Sequence, residues 1–325
     1  MECILKRLAI IGAGSIARAH INAANEVGFS VVAICGKKDS SRAREIASEV
    51  EGLVSYPDFS SMLETKPDAV VIAVNPVHSL DILMKCLGLG LPTLIEKPVS
   101  TSSSALIKLR KMDTSGVIVG YNRRHYSSVE QFKEELEDYN SGLIQIQIPE
   151  LSWDRDPSDP QRHAALLENS VHIFDLANYL FGTIRIRDIS KNHGEKNPGF
   201  SVASFATDSG FIGSVSIGFG VPDNTYIKFW AGGISLELKP IEHFNKVEEL
   251  RREVSKDSKN ITRYLPISLN EWSQSESDLI AKPGFLRQYE EFYSLVAHNV
   301  KPTRSATISD AKLALELAEK FIFSE

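Results

Sequence analysis

A short apolar run at residues 8–11 leads straight into Gly12-Ala13-Gly14-Ser15-Ile16-Ala17, and a helix-like pattern leaves that turn. A strand that becomes a helix through G-x-G-x-x-A narrows the fold to a βα unit of the dinucleotide-binding type. Gly12 permits the tight turn out of the strand. Gly14 lets backbone come close to a pyrophosphate, and Ala17 lets the helix pack closely on the sheet. The helix N-terminus offers N–H groups and partial positive charge to phosphates. Ser15 and Ile16 therefore join Gly12, Gly14 and Ala17 as candidate cofactor contacts. The structural alternative is a turn of small residues that serves packing alone.

The same alternation continues to residue 122. Apolar runs at 31–35, 69–74, 93–95 and 117–120 are separated by helical patterns at 16–27, 41–50, 79–89 and 102–112. Strands alternating with helices predict a doubly wound parallel sheet. A polar cluster follows the carboxyl end of every run: 12–17, Gly36-Lys37-Lys38, Asn75-Pro76, Glu96-Lys97-Pro98 and Tyr121-Asn122-Arg123-Arg124. Ligands of open α/β sheets bind along that one edge.

Beyond residue 123 the texture changes. A helical pattern (127–139) and an alternating strand (143–148) precede a loop rich in Asp and Pro (154–160) and a helical segment (164–181). From residue 184 to 238 the pattern is strand-like with Gly punctuation, with runs at 200–206, 211–219, 226–230 and 234–238. These predict an open, largely antiparallel mixed sheet. Residues 242–277 read as a polar excursion holding a hairpin or mobile loop, and helices at 285–298 and 309–324 follow. The expected fold is α/β: a Rossmann domain at 1–122 and a substrate-binding and oligomerisation α/β domain at 123–325, with the last helix able to pack back on the first.

At 325 residues there is material for two cores. A net charge of −6 offers no support for nucleic-acid or anionic-membrane binding. No apolar run approaches the ~18 residues of a membrane span. Cys3, Cys35 and Cys86 form no C-x-x-C pair, which reads as buried thiols in a reducing cytoplasm. No cluster of metal ligands stands out.

With its motifs placed, the chain resembles the glucose-fructose oxidoreductase / inositol dehydrogenase (Gfo/Idh/MocA) family of nicotinamide-dependent oxidoreductases. The resemblance rests on the glycine turn, Asn75-Pro76-x-His78, Glu96-Lys97-Pro98, 120–124, His172-x-x-Asp175, and Pro302 and Ser305 before Asp310-Ala311. It implies a Rossmann domain, a C-terminal α/β domain with an open mixed sheet, and hydride transfer at their junction. It also implies a sugar, polyol or nucleotide-linked sugar as substrate, and a homo-oligomer, dimer or tetramer. The alternating residues Phe211, Gly213, Val215, Ile217 and Phe219 would suit a subunit-facing sheet; equally, this chain's own helices could cover them.

Lys97 follows an apolar strand directly, and Pro98 biases it away from helical backbone. Beside a nicotinamide, it would stabilise negative charge on the substrate's reacting oxygen; the plainer reading is a surface lysine paired with Glu96. His172, Asp175 and Glu168 fall on adjoining parts of one helix face. A histidine there can give or take a proton near neutral pH, and a carboxylate beside it would fix its tautomer. Glu168 stands where family members resemble an Asp, and Ala164-Ala165-Leu166-Leu167 replaces the usual pair of glycines. Asn75, Pro76 and His78 are expected near the nicotinamide ribose or the phosphates, with Glu96 and Lys97 beside the cofactor. Arg123 or Arg124 would bind a hydroxyl, carboxylate or phosphate, or serve in a salt bridge. Trp153 and His163 are further candidate substrate contacts.

NAD-binding domains usually end the second strand with an acid for the adenosine ribose. Here Gly36 holds that place, followed by Lys37 and Lys38. Room and positive charge favour NADP(H) over NAD(H), whereas Asp39 would serve NAD(H) if the turn ran one register longer. Two alternatives to a CH–OH dehydrogenase are an imine or conjugated-bond reductase, resembling biliverdin reductase, and a non-catalytic NAD(P)-sensing regulator.

Overall fold

A computed structural model describes residues 5–150, 167, 170–192, 199–254, 262–272 and 281–323. Its contacts divide the chain into one unit of Met1–His125 with Glu276–Glu319 and another of Tyr126–Ser275 with Lys320–Glu325. The first junction lies three residues beyond the expected boundary. Residues 276–319 also group with the first unit, a longer piece than the last helix that was expected able to pack back.

The first unit holds six parallel strands: β1 (Lys6–Ile11), β2 (Phe29–Cys35), β3 (Val54–Tyr56), β4 (Ala69–Ile72), β5 (Thr93–Ile95) and β6 (Val117–Val119). Their order, β3-β2-β1-β4-β5-β6, is that of a dinucleotide fold, with its switch point between β1 and β4. Both faces of β1, β2, β4, β5 and β6 are largely buried, which explains their near-continuous apolar runs, whereas β3 at the edge leaves Val54 exposed. Helices α1 (Ala17–Glu26), α2 (Ser41–Glu49), α3 (Phe59–Leu63) and α4 (Pro76–Gly88) connect them. Ser40, Asp58 and Asn75 cap α2, α3 and α4 by accepting backbone N–H groups. Pro76, in the first turn of α4, explains why that helix begins three residues before the expected 79. The helix expected at 102–112 is instead a 3-10 segment, Ser104–Leu109.

The second unit is built on an eight-stranded sheet ordered β14-β13-β12-β11-β7-β10-β9-β8. Its strands are β7 (Leu143–Glu150), β8 (Ile184–Asn192), β9 (Phe200–Thr207), β10 (Ile212–Phe219), β11 (Tyr226–Ala231), β12 (Ile234–Leu238), β13 (Phe244–Val254) and β14 (Thr262–Trp272). Only β7 and β10 pair in parallel among the described strands. The expected polar excursion at 242–277 is thus largely the β13–β14 hairpin. Helices α5 (Ser127–Leu136) and α6 (Val171–Phe181) lie on one face of this sheet. There the rings of Phe132, Phe181, Phe211 and Phe229 meet at centroid distances of 5.6–6.2 Å. Phe211, Val215 and Ile217 belong to that covered face, so of the two readings left open for the alternating run, burial by the chain's own helices is the one observed.

Two further helices, α7 (Phe285–His298) and α8 (Ile308–Phe323), follow the second sheet in sequence. α7 completes the first unit's core: Phe285, Tyr289 and Phe292 pack with Leu8, Ile10, Ile21 and Phe29. Gly284 and Asn299 bound it in left-handed backbone (φ 73° and 55°), a conformation Gly adopts freely and Asn tolerates.

Candidate functional site

At the switch point of the parallel sheet, β1 ends in Gly12, whose φ of 119° strains any other residue. A Cβ there would fall on the carbonyl oxygen of Ala73, just after β4. Gly14 is different: a Cβ on it would meet nothing within 4 Å. Its backbone is open to whatever enters the cleft. Ala17 is fully buried at the start of α1, while Ser15 is exposed and Ile16 half-buried. Gly12 thus makes the turn out of β1 and Ala17 packs beneath α1.

The cleft has a volume of ≈ 540 Å³ and is lined by the ends of β1, β2 and β4. Of the expected cofactor residues, Gly12, Gly14, Gly36, Lys37, Asn75 and His78 line it; Ser15, Ile16, Ala17, Lys38, Pro76, Glu96 and Lys97 do not. Ser40, Arg42 and Phe59 also line it, and the sequence reading missed them. Helix capping was the available signal for Ser40. Its Oγ accepts the Ala43 N–H at 3.2 Å and places the first turn of α2, with Arg42, at the cleft. A Cβ at Gly36 would stand 2.7 Å from both Cβ and Oγ of Ser40, so a side chain at 36 cannot coexist with that cap as placed. Asp39 is exposed and outside the lining. Cys35 borders the same space, and burial pushes its thiol up to about 12, leaving it neutral.

On the other side of the switch point, Asn75 Oδ1 accepts the Val77 N–H at 3.0 Å and caps α4. His78 is exposed on the cleft wall. Lys97 is half-buried just after β5. Glu96, expected beside the cofactor, turns inward onto His20 and the Lys97 backbone N–H.

Arg124 and Arg123 part company. Arg124 is 5% exposed, its guanidinium 3.4 Å from Asp310 and donating to the Arg304 carbonyl at 3.4 Å. Burial acts to raise the Asp310 carboxyl, but Arg124 and the Thr307 donors outweigh it and hold it below the usual range. The pair is a salt bridge within the first unit rather than one that links the two. Arg123 is half-exposed with no ion pair among the described residues. Next to them His125 is pushed down to about 4, first by burial, then by Arg304, Arg124 and Arg287, with Glu291 opposing.

In the second unit, His172 lies in the first turn of α6, half-buried, and Asp175 follows on the same face at 1% exposure. A carboxylate the sequence did not flag, Glu150 at the end of β7, is 3% exposed and accepts the hydroxyl of Ser170, which precedes α6. The helix start therefore carries His172 and the buried Asp175, with the buried Glu150 of β7 bonded to the residue just before it. Glu168, Trp153 and His163 lie outside the described residues. Among the described residues, no group of three or more His, Cys, Asp or Glu is placed to hold a metal ion, and no helix is long and apolar enough to cross a membrane.

Residues 6–135 match the model of an oxidoreductase family with an NAD-binding Rossmann fold, Gfo/Idh/MocA. Inositol 2-dehydrogenase 2 of Saccharopolyspora erythraea is 28% identical over 182 residues, covering 54% of this chain and 53% of that protein. The chain thus spans about half the length of that relative. An oxidoreductase of Thermotoga maritima shares the fold with a TM-score of 0.74 at 20% identity, over 98% of this chain and 96% of its own. The UDP-N-acetylglucosamine 3-dehydrogenase of Acidithiobacillus ferrooxidans does so at 0.74 and 14% identity, over 98% and 96%.

Proposed function

Because residues 6–135 match the Gfo/Idh/MocA oxidoreductase family, we propose that the chain is a member of that family and a nicotinamide-dependent dehydrogenase of sugar-like alcohols. It would transfer hydride between the cofactor and a secondary alcohol or ketone of a sugar, polyol or nucleotide-linked sugar. The observation that carries this reading is the cleft at the switch point, where Gly14 offers bare backbone beside the N-terminus of α1. The substrate class is supported by relatives named for inositol and a UDP-sugar. Those names give no support to imine reduction or cofactor sensing.

The bound nicotinamide would supply the hydride acceptor or donor. Gly12, Gly14 and the first turn of α1 would hold the pyrophosphate, with Asn75 and His78 along the opposite wall. Lys97 would stabilise negative charge on the reacting oxygen. His172 would take the hydroxyl proton in oxidation and return it in reduction, with Asp175 fixing its ring and Glu168 assisting. Arg123, rather than Arg124, would contact substrate, with Trp153 and His163 nearby.

We favour NADP(H) over NAD(H). Gly36 leaves the ribose place without an acid, the Ser40 cap excludes one, and Lys37 and Arg42 bring positive charge to the same wall. A homo-oligomer would use the outward face of the second sheet, which carries exposed Phe200, Val202, Ile212 and Trp230. The buried thiols Cys35 and Cys86 suit a reducing, cytoplasmic setting.

The test is a paired fluorescence titration of cofactor-stripped protein with NADPH and NADH, followed by oxidation assays on myo-inositol and UDP-N-acetylglucosamine. NADPH binding at least tenfold tighter, with turnover of either alcohol, is expected. Binding of neither dinucleotide overturns the enzyme reading; tighter NADH binding overturns the NADP preference alone.

A further inference from the structure

His20 lies one turn beyond Ala17 on α1, where the helix buries its inner face, and it has no exposed surface. Burying an imidazole and a carboxylate together is costly unless both are paired. Here the pairing runs through three elements of the first unit. The Tyr289 hydroxyl, on α7, is 2.8 Å from His20 Nδ1. His20 Nε2 is 3.2 Å from Glu96 Oε1, an ion-pair distance without straight hydrogen-bond alignment. The other carboxylate oxygen, Oε2, accepts the backbone N–H of Lys97 at 3.3 Å. Gly120 closes the remaining side: a Cβ there would stand 3.2 Å from the Glu96 carboxyl.

We propose that His20 and Tyr289 are positioning residues that keep Glu96 an ionised clamp on the Lys97 main chain. The clamp ties the turn bearing Lys97 to α1, the helix that follows the Gly12–Gly14 turn lining the cleft. This rests on the reading of Lys97 as the residue that holds the reacting oxygen.

Four groups face Glu96: His20 from α1, Tyr289 from α7, Lys282 just before α7, and Lys97 beside it. Burial alone would raise the Glu96 carboxyl, yet His20, Lys97 and Lys282 together hold it below the usual range. Burial, and then Glu96 itself, push the Tyr289 phenol well up, so it remains an O–H donor. Donation then runs one way, from Tyr289 to Nδ1 and from Nε2–H towards Glu96; the hydrogen positions follow from the network. A carboxylate fixed from both sides leaves the Lys97 N–H a stationary acceptor. Without the imidazole, Glu96 would protonate at a higher pH and release that N–H.

The test is hydrogen exchange of the 93–99 segment between pH 5 and 8, corrected for intrinsic rate, in the full chain and in His20→Phe, His20→Gln and Tyr289→Phe. In the parent chain, protection at Lys97 should be constant with pH. In H20F it should fall about tenfold as the pH is lowered across that range; H20Q, which still offers an N–H, should restore it. Y289F, lacking one oxygen only, should show a smaller shift of the same sign and covers the case in which H20F does not fold. Unchanged protection in H20F and Y289F, or a loss independent of pH, overturns the clamp. With NADP+ and myo-inositol, Y289F should lower kcat while leaving the cofactor KM within about threefold. Lys97→Met separates the two readings: if it leaves turnover intact, the role of Lys97 fails, while the exchange data still judge the clamp.

Discussion

The two sheets keep their polar residues in different places. In the parallel sheet the strands inside the β3 edge are largely buried on both faces, so the turns that can meet a ligand gather past the carboxyl ends, where Gly36, Gly12, Asn75 and Lys97 follow one another across neighbouring strands. In the second sheet the strands run mostly antiparallel, with one face under α5 and α6 and the other bearing Gln145, Gln147, Ser214 and Lys228 beside exposed apolar residues. A shared strand direction concentrates chemistry on an edge; alternating directions spread polarity over a face. Function was accordingly easier to read in the first unit. In the second, the candidate acid–base residues ride on the start of one helix.

That contrast breaks most visibly at its glycines. Gly12→Ala should cost more than about 4 kcal/mol and abolish dinucleotide binding, because the new methyl meets backbone. Gly14→Ala should fold normally and only weaken binding; equal melting temperatures for the two variants by calorimetry would erase the distinction. On the covered face of the second sheet, Phe229→Ala should cost about 3–5 kcal/mol in urea unfolding. If the chemistry is divided between the units as proposed, Lys97→Met should cut kcat by about 10²–10³ and His172→Gln by about 10²–10⁴, with dinucleotide binding intact in both. A silent H172Q would leave the second unit without its acid–base residue. Arg42→Ala should weaken NADPH by about 1.5–3 kcal/mol and NADH hardly at all in paired titrations. Smallest of all, Ile212→Ser on the outward face should alter protomer stability by less than about 0.5 kcal/mol. Its effect should appear in sedimentation, as dissociation, if that face joins subunits.

Local signals carried most of the fold. The alternation of apolar runs and helical patterns located five of the six parallel strands; β3, Val54-Ser55-Tyr56, escaped because it is partly exposed and mixed in polarity, whereas β6, equally short and also at an edge, is a buried Val-Ile-Val run. The serines at 102–104 sit inside an apparently helical stretch, yet Ser103 donates through N and Oγ to Glu319, and the segment tightens to a 3-10 turn. The site was legible where one turn makes it, as at Gly12 and Gly14. It was illegible where the chain must return from far away. Ser40 and Arg42 reach the cleft from the start of α2 and Phe59 from the start of α3, Asp310 captures Arg124 from 186 positions on, and Tyr289 meets His20 across 269. No spacing rule links such residues before the chain has folded.

The aromatic residues of α7 also bear on how the molecule comes into being. The dinucleotide unit is finished by a segment that the ribosome makes only after the whole second sheet. During synthesis, β1, β2 and α1 must wait with their apolar face incomplete until Phe285, Tyr289 and Phe292 emerge. Anyone grafting this cofactor unit onto another partner must therefore transplant two pieces of chain, cutting near 125 and again near 276, because a graft of the leading piece alone would arrive without its keystone.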